Sequence, residues 1–241
     1  GRIYRGWKKG GHSNVNLKKA LMVSSNTYFF KLAYQADMKE LASYFSLLGF
    51  GDRVCSDCFD EDQAFLPTPE WKYKNFNVPW FTGDTVNIGV GQGYLIATPM
   101  QLANYISIVA NKGKVLSPSI VQVDSKILKT EENNEISLSS LDWAKMHDAL
   151  TSVIEGDYGT ARSIKSLKNF QVAGKSGTAE LVSLDSKEAY LEVRDTELLR
   201  DHSIIIAFGP MPNPQYAVSV VIENGESGGS VAGPVAIEVL K

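Results

Sequence analysis

Lys175-Ser176-Gly177-Thr178 and Ser24-Ser25-Asn26 are the stretches of this chain best equipped for chemistry. A lysine on a strand carries positive charge on a rigid support, which attracts a carboxylate and favours neutral neighbouring amines. Ser176 and Thr178 would add hydroxyl donors for that carboxylate, and the Thr178 backbone N–H could face a developing oxyanion. Gly177, without a Cβ, would let an extended ligand lie along the strand as an added edge. Ser24 could relay a proton, and Asn26 could hydrogen-bond a substrate amide. Together these groups meet most needs of acyl transfer through a serine: a proton relay, an oxyanion donor and a grip on the substrate. The two stretches differ in specificity. From average residue usage, S-x-N should arise by chance on the order of once in such a chain, and K-[ST]-G-T in roughly one chain in a hundred. Alone, Ser24 to Asn26 reads as a helix cap or turn and Lys175 to Thr178 as an exposed strand end.

Helices dominate residues 1–160, and 168–241 read as three strands plus a terminal helix. Asn16 can cap a helix from Leu17 to Val23, and a second starts near Thr27 and runs through Ala33, which makes Ser24-Ser25-Asn26 an elbow between them. A third runs from Met38 to Leu48, with Leu41, Tyr44, Phe45 and Leu48 on its apolar face and Gly49 and Gly51 beyond its end. From Asp52 to Trp80 no period is sustained, and Pro67, Pro69 and Pro79 mark a long ordered loop. Thr98-Pro99 opens a helix that Gly113 ends, and Ser139 or Ser140 caps another that Gly156 stops. Past the strand-like run Phe170 to Ala173, the β-branched runs Ser203–Phe208 and Tyr216–Ile222 flank the turn residues Gly209 to Pro214, which predicts a hairpin. An apolar helix from Val231 to Leu240 completes an α+β architecture with an antiparallel sheet.

With 241 residues, 44% of them hydrophobic, the chain can bury a sizeable core and form one large domain or part of one. A net charge of −3 gives no electrostatic reason to expect nucleic acid. No apolar run approaches the roughly 18 residues of a membrane span. Gly1 is not an initiator Met, so the natural N-terminus is expected upstream, where any anchor or export signal would lie. Cys55 and Cys58 form a lone C-x-x-C without the second ligand pair of a zinc site or the βαβ setting of a redox motif. They read as two small loop residues that could close a local disulfide in an oxidising compartment.

The order of these motifs resembles the active-site serine acyl transferases. That superfamily is read from S-x-x-K, S-x-N and K-[ST]-G, and the last two are present here as Ser24-Ser25-Asn26 and Lys175-Ser176-Gly177. Between them, Gly89-Val90-Gly91-Gln92-Gly93-Tyr94 followed by Ala97-Thr98-Pro99-Met100-Gln101-Leu102-Ala103 is similar to class B penicillin-binding proteins. Read alone, that glycine-rich run could pass for a phosphate loop, but it has neither the Lys-Ser/Thr ending nor a preceding strand. Arg5 to Lys9 with Gly11-His12, Pro67 to Lys72, Pro79-Trp80 with Gly83-Asp84-Thr85, Leu199 to His202 and Ile222 to Gly225 resemble the elongation-specific penicillin-binding protein 2 group. The resemblance runs over nearly the whole chain.

It implies the C-terminal part of a single transpeptidase domain in the β-lactamase/transpeptidase-like fold. The sheet would be antiparallel and flanked by helices, and this chain would lack the N-terminal strands and the S-x-x-K helix. No Ser or Thr of the sequence is followed three positions on by Lys, so the nucleophile and its Lys are expected upstream and the isolated chain is expected to be inactive. The implied reaction cross-links peptidoglycan stem peptides, with β-lactam antibiotics as inhibitors and Ser24, Asn26 and Lys175 catalytic. Ser176, Gly177 and Thr178 would bind substrate. Also implied are a membrane glycosyltransferase and elongation-complex proteins as partners, and a place on the periplasmic side of the inner membrane.

No cofactor is implied. Some members hold a metal through the His that matches His12 and a Cys where this chain has Ser25, so no metal is expected. His12 reads as a hydrogen-bonded structural residue, His147 as a helix-surface residue, and His202 as a residue ordering the loop from Ser183 to Arg200, expected to be mobile. Val54-Cys55-Ser56-Asp57-Cys58 departs from the family pattern. The alternatives are a β-lactam sensor or a β-lactamase of the same superfamily; sensors and class D lactamases usually carry Tyr-x-Asn where this chain has Ser24 to Asn26, and lack the Gly91-Gln92-Gly93 segment. A chain that only binds ligands or partners is a third.

Overall fold

The computed structural model describes residues 3–121, 135–167, 169–181 and 196–241. Its contacts divide the chain into two compact units, one of Gly1–Val15 and Ser25–Trp143, the other of Asn16–Ser24 and Ala144–Lys241. Among the described residues no helix is long and apolar enough to cross a membrane.

The first unit is helical. It holds α2 (Asn26–Gln35), α3 (Met38–Leu47), α4 (Pro69–Phe76), α5 (Thr82–Ile88) and α6 (Pro99–Ala110). The α6 start follows from Thr98, whose hydroxyl accepts the Gln101 N–H while the Gln101 carboxamide oxygen accepts the Thr98 N–H, a reciprocal cap. Gln101 is fully buried and its Nε2 donates to the Asp52 and Gln63 carbonyls, so one side chain fastens the loop after α3. The structure corrects the reading of Asp52 to Trp80 as all loop, because α4 lies within it, opened by Thr68 and by Pro69 at the first helical position. Its buried residue is Lys72, paired with Asp84 and set over the Phe81, Trp80 and Tyr94 rings. A helix that buries a lysine shows no apolar period in sequence. On α3, Tyr44 turns outward at 59% exposure, and the buried residue is Met38.

Cys55 and Cys58 are joined by a disulfide. Inside the loop they close, the Asp57 carboxylate accepts the Ser119 hydroxyl and the Ile120 and Val121 N–H groups. These bonds hold the Asp57 pKa low, the Ser119 hydroxyl contributing most.

The second unit carries the sheet. It contains α1 (Leu17–Met22), β1 (Ala173–Ala179), β2 (His202–Gly209), β3 (Tyr216–Ile222) and α8 (Gly233–Leu240). The long helix α7 (Ser140–Glu155) enters this unit at Ala144. The sheet order is β1-β2-β3, antiparallel throughout, with Lys175 opposite Ile206 and Ile206 opposite Ser219. The predicted hairpin of β2 and β3 is present, and Lys175 to Thr178 lie within the first strand, as the reading of a strand lysine expects. One face of the sheet buries Ile205, Ala207 and Val218 with Val153 and Ile154 of α7, Ile164, and Ala236, Ile237 and Leu240 of α8. His147, expected on a helix surface, is buried with its ring 5.1 Å from Phe208 of β2. It faces inward because α7 packs its side against this strand.

Candidate active site

Lys175 and Ser24 meet in the second unit. The α1 helix, capped by Asn16, ends at Met22, and Ser24 turns the chain with φ 51°. Lys175 comes from the middle of β1, and its Nζ donates to Ser24 Oγ at 2.9 Å and to its neighbour's carbonyl, Ser176 O, at 2.6 Å. The Lys175 side chain as a whole keeps partial exposure, but its ammonium end is sunk below the surface, and this burial pushes its pKa down to about 8. An amine with that pKa can give or take a proton near neutrality, which an ordinary surface lysine does not do.

The hydroxyls of β1 are held by the chain that surrounds them. Ser176 Oγ lies 2.7 Å from Thr160 Oγ1, and Thr178 Oγ1 donates to Glu226 O at 3.3 Å. Ser203, buried opposite Thr178, donates to Ser227 O and accepts the Ala232 N–H, fixing the π-helical turn Gly228–Ala232 beside the strand. Gly228 has to be glycine, since an added Cβ would overlap the backbone of Gly177 and Ile204. Gly177 is different. A Cβ there would meet only Ile204 side-chain atoms at 3.6 and 3.9 Å, ordinary contact. Packing among the described residues therefore gives no reason for the glycine.

Past the strand, burial first and Asp201 second raise the Glu180 pKa, and Asp201 is raised by burial and by Glu226. His202 accepts the Asn224 N–H on Nδ1, and Asn224 in turn donates to the Leu198 and Arg200 carbonyls. That chain of bonds orders residues 198–200, in keeping with the structural role read for His202. Residues 182–195 of the loop lie outside the described residues.

Of the sequence-predicted site residues, Ser24, Lys175, Ser176, Gly177 and Thr178 belong to one unit, with Ser24 and Lys175 in contact. Asn26 opens α2 in the other unit, half-buried. His12 packs beside Trp7, ring centroids 5.2 Å apart, and is half-buried. The sequence reading missed Thr160 and Glu226. Each touches a β1 hydroxyl through a contact distant in sequence, and neither belongs to a recognisable motif.

A strand lysine bonded to a serine at a helix elbow, with two ordered hydroxyls after it, is the arrangement of the penicillin-recognising serine acyl transferases. The family of the penicillin binding protein transpeptidase domain matches residues 1–241, and the chain belongs to that family. It is 36% identical over 245 residues to the peptidoglycan D,D-transpeptidase MrdA of Haemophilus influenzae, covering 98% of this chain and 37% of that protein. The MrdA of Escherichia coli K12 is 35% identical over 234 residues, 95% of this chain and 37% of that protein. The chain thus spans little more than a third of the length of these curated relatives. Among solved structures, Pseudomonas aeruginosa PBP2 in complex with WCK 5153 superposes with a TM-score of 0.83 at 35% identity, covering 98% of this chain and 50% of that one. The complex between PBP2 and MreC from Helicobacter pylori gives 0.77 at 28% identity, with 98% of this chain and 42% of that one covered.

Proposed function

We propose that this chain forms the substrate-holding part of a peptidoglycan D,D-transpeptidase acting in cell elongation. The observation that carries the reading is the 2.9 Å contact from Lys175 Nζ to Ser24 Oγ, made on the strand that also presents Ser176 and Thr178. Family membership and the names of the relatives support it. The sequence holds no S-x-x-K, so the nucleophilic Ser and its Lys are proposed to come from residues outside it. The serine oxygen attacks the carbonyl between two D-Ala residues of a stem peptide, and the terminal D-Ala leaves with a proton on its amine. The amine of a neighbouring stem then attacks the ester, forming the cross-link and returning the proton to the serine.

In this reading Lys175 and Ser24 pass the proton, the buried amine being poised to do so. Ser176 donates its hydroxyl proton to the terminal carboxylate, Thr178 adds its own by turning it from Glu226 O to the same group, and the Thr178 N–H faces the oxyanion. β-Lactams that mimic the D-Ala-D-Ala end would acylate the same serine. The proposed place is the periplasmic side of the inner membrane, which the Cys55–Cys58 disulfide fits because such bonds persist in oxidising compartments. Proposed partners are a membrane glycosyltransferase and elongation-complex proteins, in line with the MreC complex of the Helicobacter neighbour. Incubation of the full-length protein with a fluorescent penicillin tests the reading. Stable covalent labelling, weakened by Lys175→Ala, is expected; rapid penicillin turnover points to a β-lactamase, and no labelling overturns the proposal.

A further inference from the structure

Thr160 ties together the two chain segments that form the Lys175–Ser24 contact. It stands in the turn that follows α7, where Gly159 N–H bonds to Gly156 O and Ala161 N–H to Val153 O. Its own N–H donates to Met22 O at 3.1 Å, two residues before Ser24. Its hydroxyl lies 2.7 Å from Ser176 Oγ, one residue after Lys175. On its other side Gly229 packs so closely that an added Cβ would collide with the backbone of Thr160 and Ala161. The threonine is therefore held by its backbone, and its hydroxyl is presented to Ser176 from a rigid support.

The direction of that hydroxyl pair decides what Ser176 can bind. A serine hydroxyl has one proton and two lone pairs. If Ser176 donated its proton to Thr160, only lone pairs would remain to face a ligand, and a carboxylate would be repelled. If Thr160 donates, the Ser176 proton stays available for a negatively charged oxygen. We propose that Thr160 is a positioning residue for carboxylate recognition, its hydroxyl donating to Ser176 Oγ so that Ser176 turns its own proton to the carboxylate of the acyl donor. The inference rests on the acyl-transfer reading above, and it names the ligand feature that the β1 hydroxyls select.

The test compares the acylation rate constants of the full-length protein with benzylpenicillin and with its methyl ester, in which the carboxylate is neutralised. Thr160→Val removes the hydroxyl while keeping the shape, and Thr160→Ser restores it. For the free acid, Thr160→Val is expected to slow acylation about tenfold, the order of loss for a disrupted hydrogen bond to a charged group, and Thr160→Ser to recover most of it. For the ester, Thr160→Val is expected to change the rate by less than about twofold. Melting temperatures matching the wild type show that both variants fold. Equal losses with acid and ester would mean that Thr160 acts only on the architecture, and unchanged acylation of the acid would mean that it does nothing; either overturns the inference. A Thr160→Ser protein as slow as Thr160→Val does the same. Wild-type protein acylated by neither compound overturns the acyl-transfer reading itself, and this inference with it.

Discussion

Replacing Lys175 by Met should make stability less dependent on pH, because Lys175 is the residue at which the fold and the chemistry conflict. Burial lowers the ammonium pKa from 10.5 to about 8. A folded pKa below the unfolded one means that the folded state binds fewer protons between those values, so the stability cost is fully present below pH 8 and is relieved as pH rises toward 10.5. The shift corresponds to at most about 3 kcal/mol of charge-burial cost at neutral pH, less what the partial exposure of the side chain screens. Lys175→Met removes this cost and keeps an unbranched stem of similar length. It also loses the hydrogen bonds to Ser24 Oγ and Ser176 O, a loss of about 1 kcal/mol each. At pH 7 the variant should be as stable as the wild type or slightly more so. The difference between the two should then move by about 2 kcal/mol in favour of the wild type on going to pH 9.5, where most of the wild-type cost has been relieved. Denaturant unfolding of the transpeptidase domain in both full-length proteins, followed across that range, reads the difference directly, since all other ionisations cancel. A difference that stays constant with pH would refute the claim that the Lys175 charge is buried at a cost.

Two further outcomes follow from packing and from the disulfide. Gly177→Ala should leave stability unchanged or raise it by about 0.5 kcal/mol, yet slow acylation by penicillin on the order of tenfold to a hundredfold. Gly228→Ala should instead destabilise the domain by about 1–3 kcal/mol, because its Cβ would overlap the Gly177 and Ile204 backbone; thermal melting and acylation kinetics on the same samples separate the two. Replacing both Cys55 and Cys58 by Ser should lower stability in oxidising buffer by about 2 kcal/mol, the loop-entropy contribution of so short a loop, and unaltered melting would show that the bond does not tighten the fold.

What the sequence disclosed depended on how local each determinant is. The β2–β3 hairpin was legible because two β-branched runs flank a Gly-Pro-rich turn, and α6 because Thr98-Pro99 marks its start and Gly113 its end. The α4 and α5 helices were missed: they are short, and α4 buries Lys72, so neither has a sustained apolar period. His147 was misplaced since polarity argues for a surface, whereas the contact with Phe208 exists only once α7 meets β2. The site shows the same division. Lys175 to Thr178 and Ser24 are contiguous motifs, but Thr160 acts through one backbone bond to Met22 and one hydroxyl pair with Ser176, neither encoded by any period or spacing.

In the proposed mechanism this chain supplies the substrate-holding wall and a proton relay, while the acylated serine is elsewhere in the protein. Peptide mapping by mass spectrometry of the full-length protein after reaction with benzylpenicillin tests this most directly. The predicted result is a single penicilloyl adduct on a serine that is followed three residues later by lysine and lies outside residues 1–241. An adduct on Ser24, Ser176 or any other residue of this chain would contradict it.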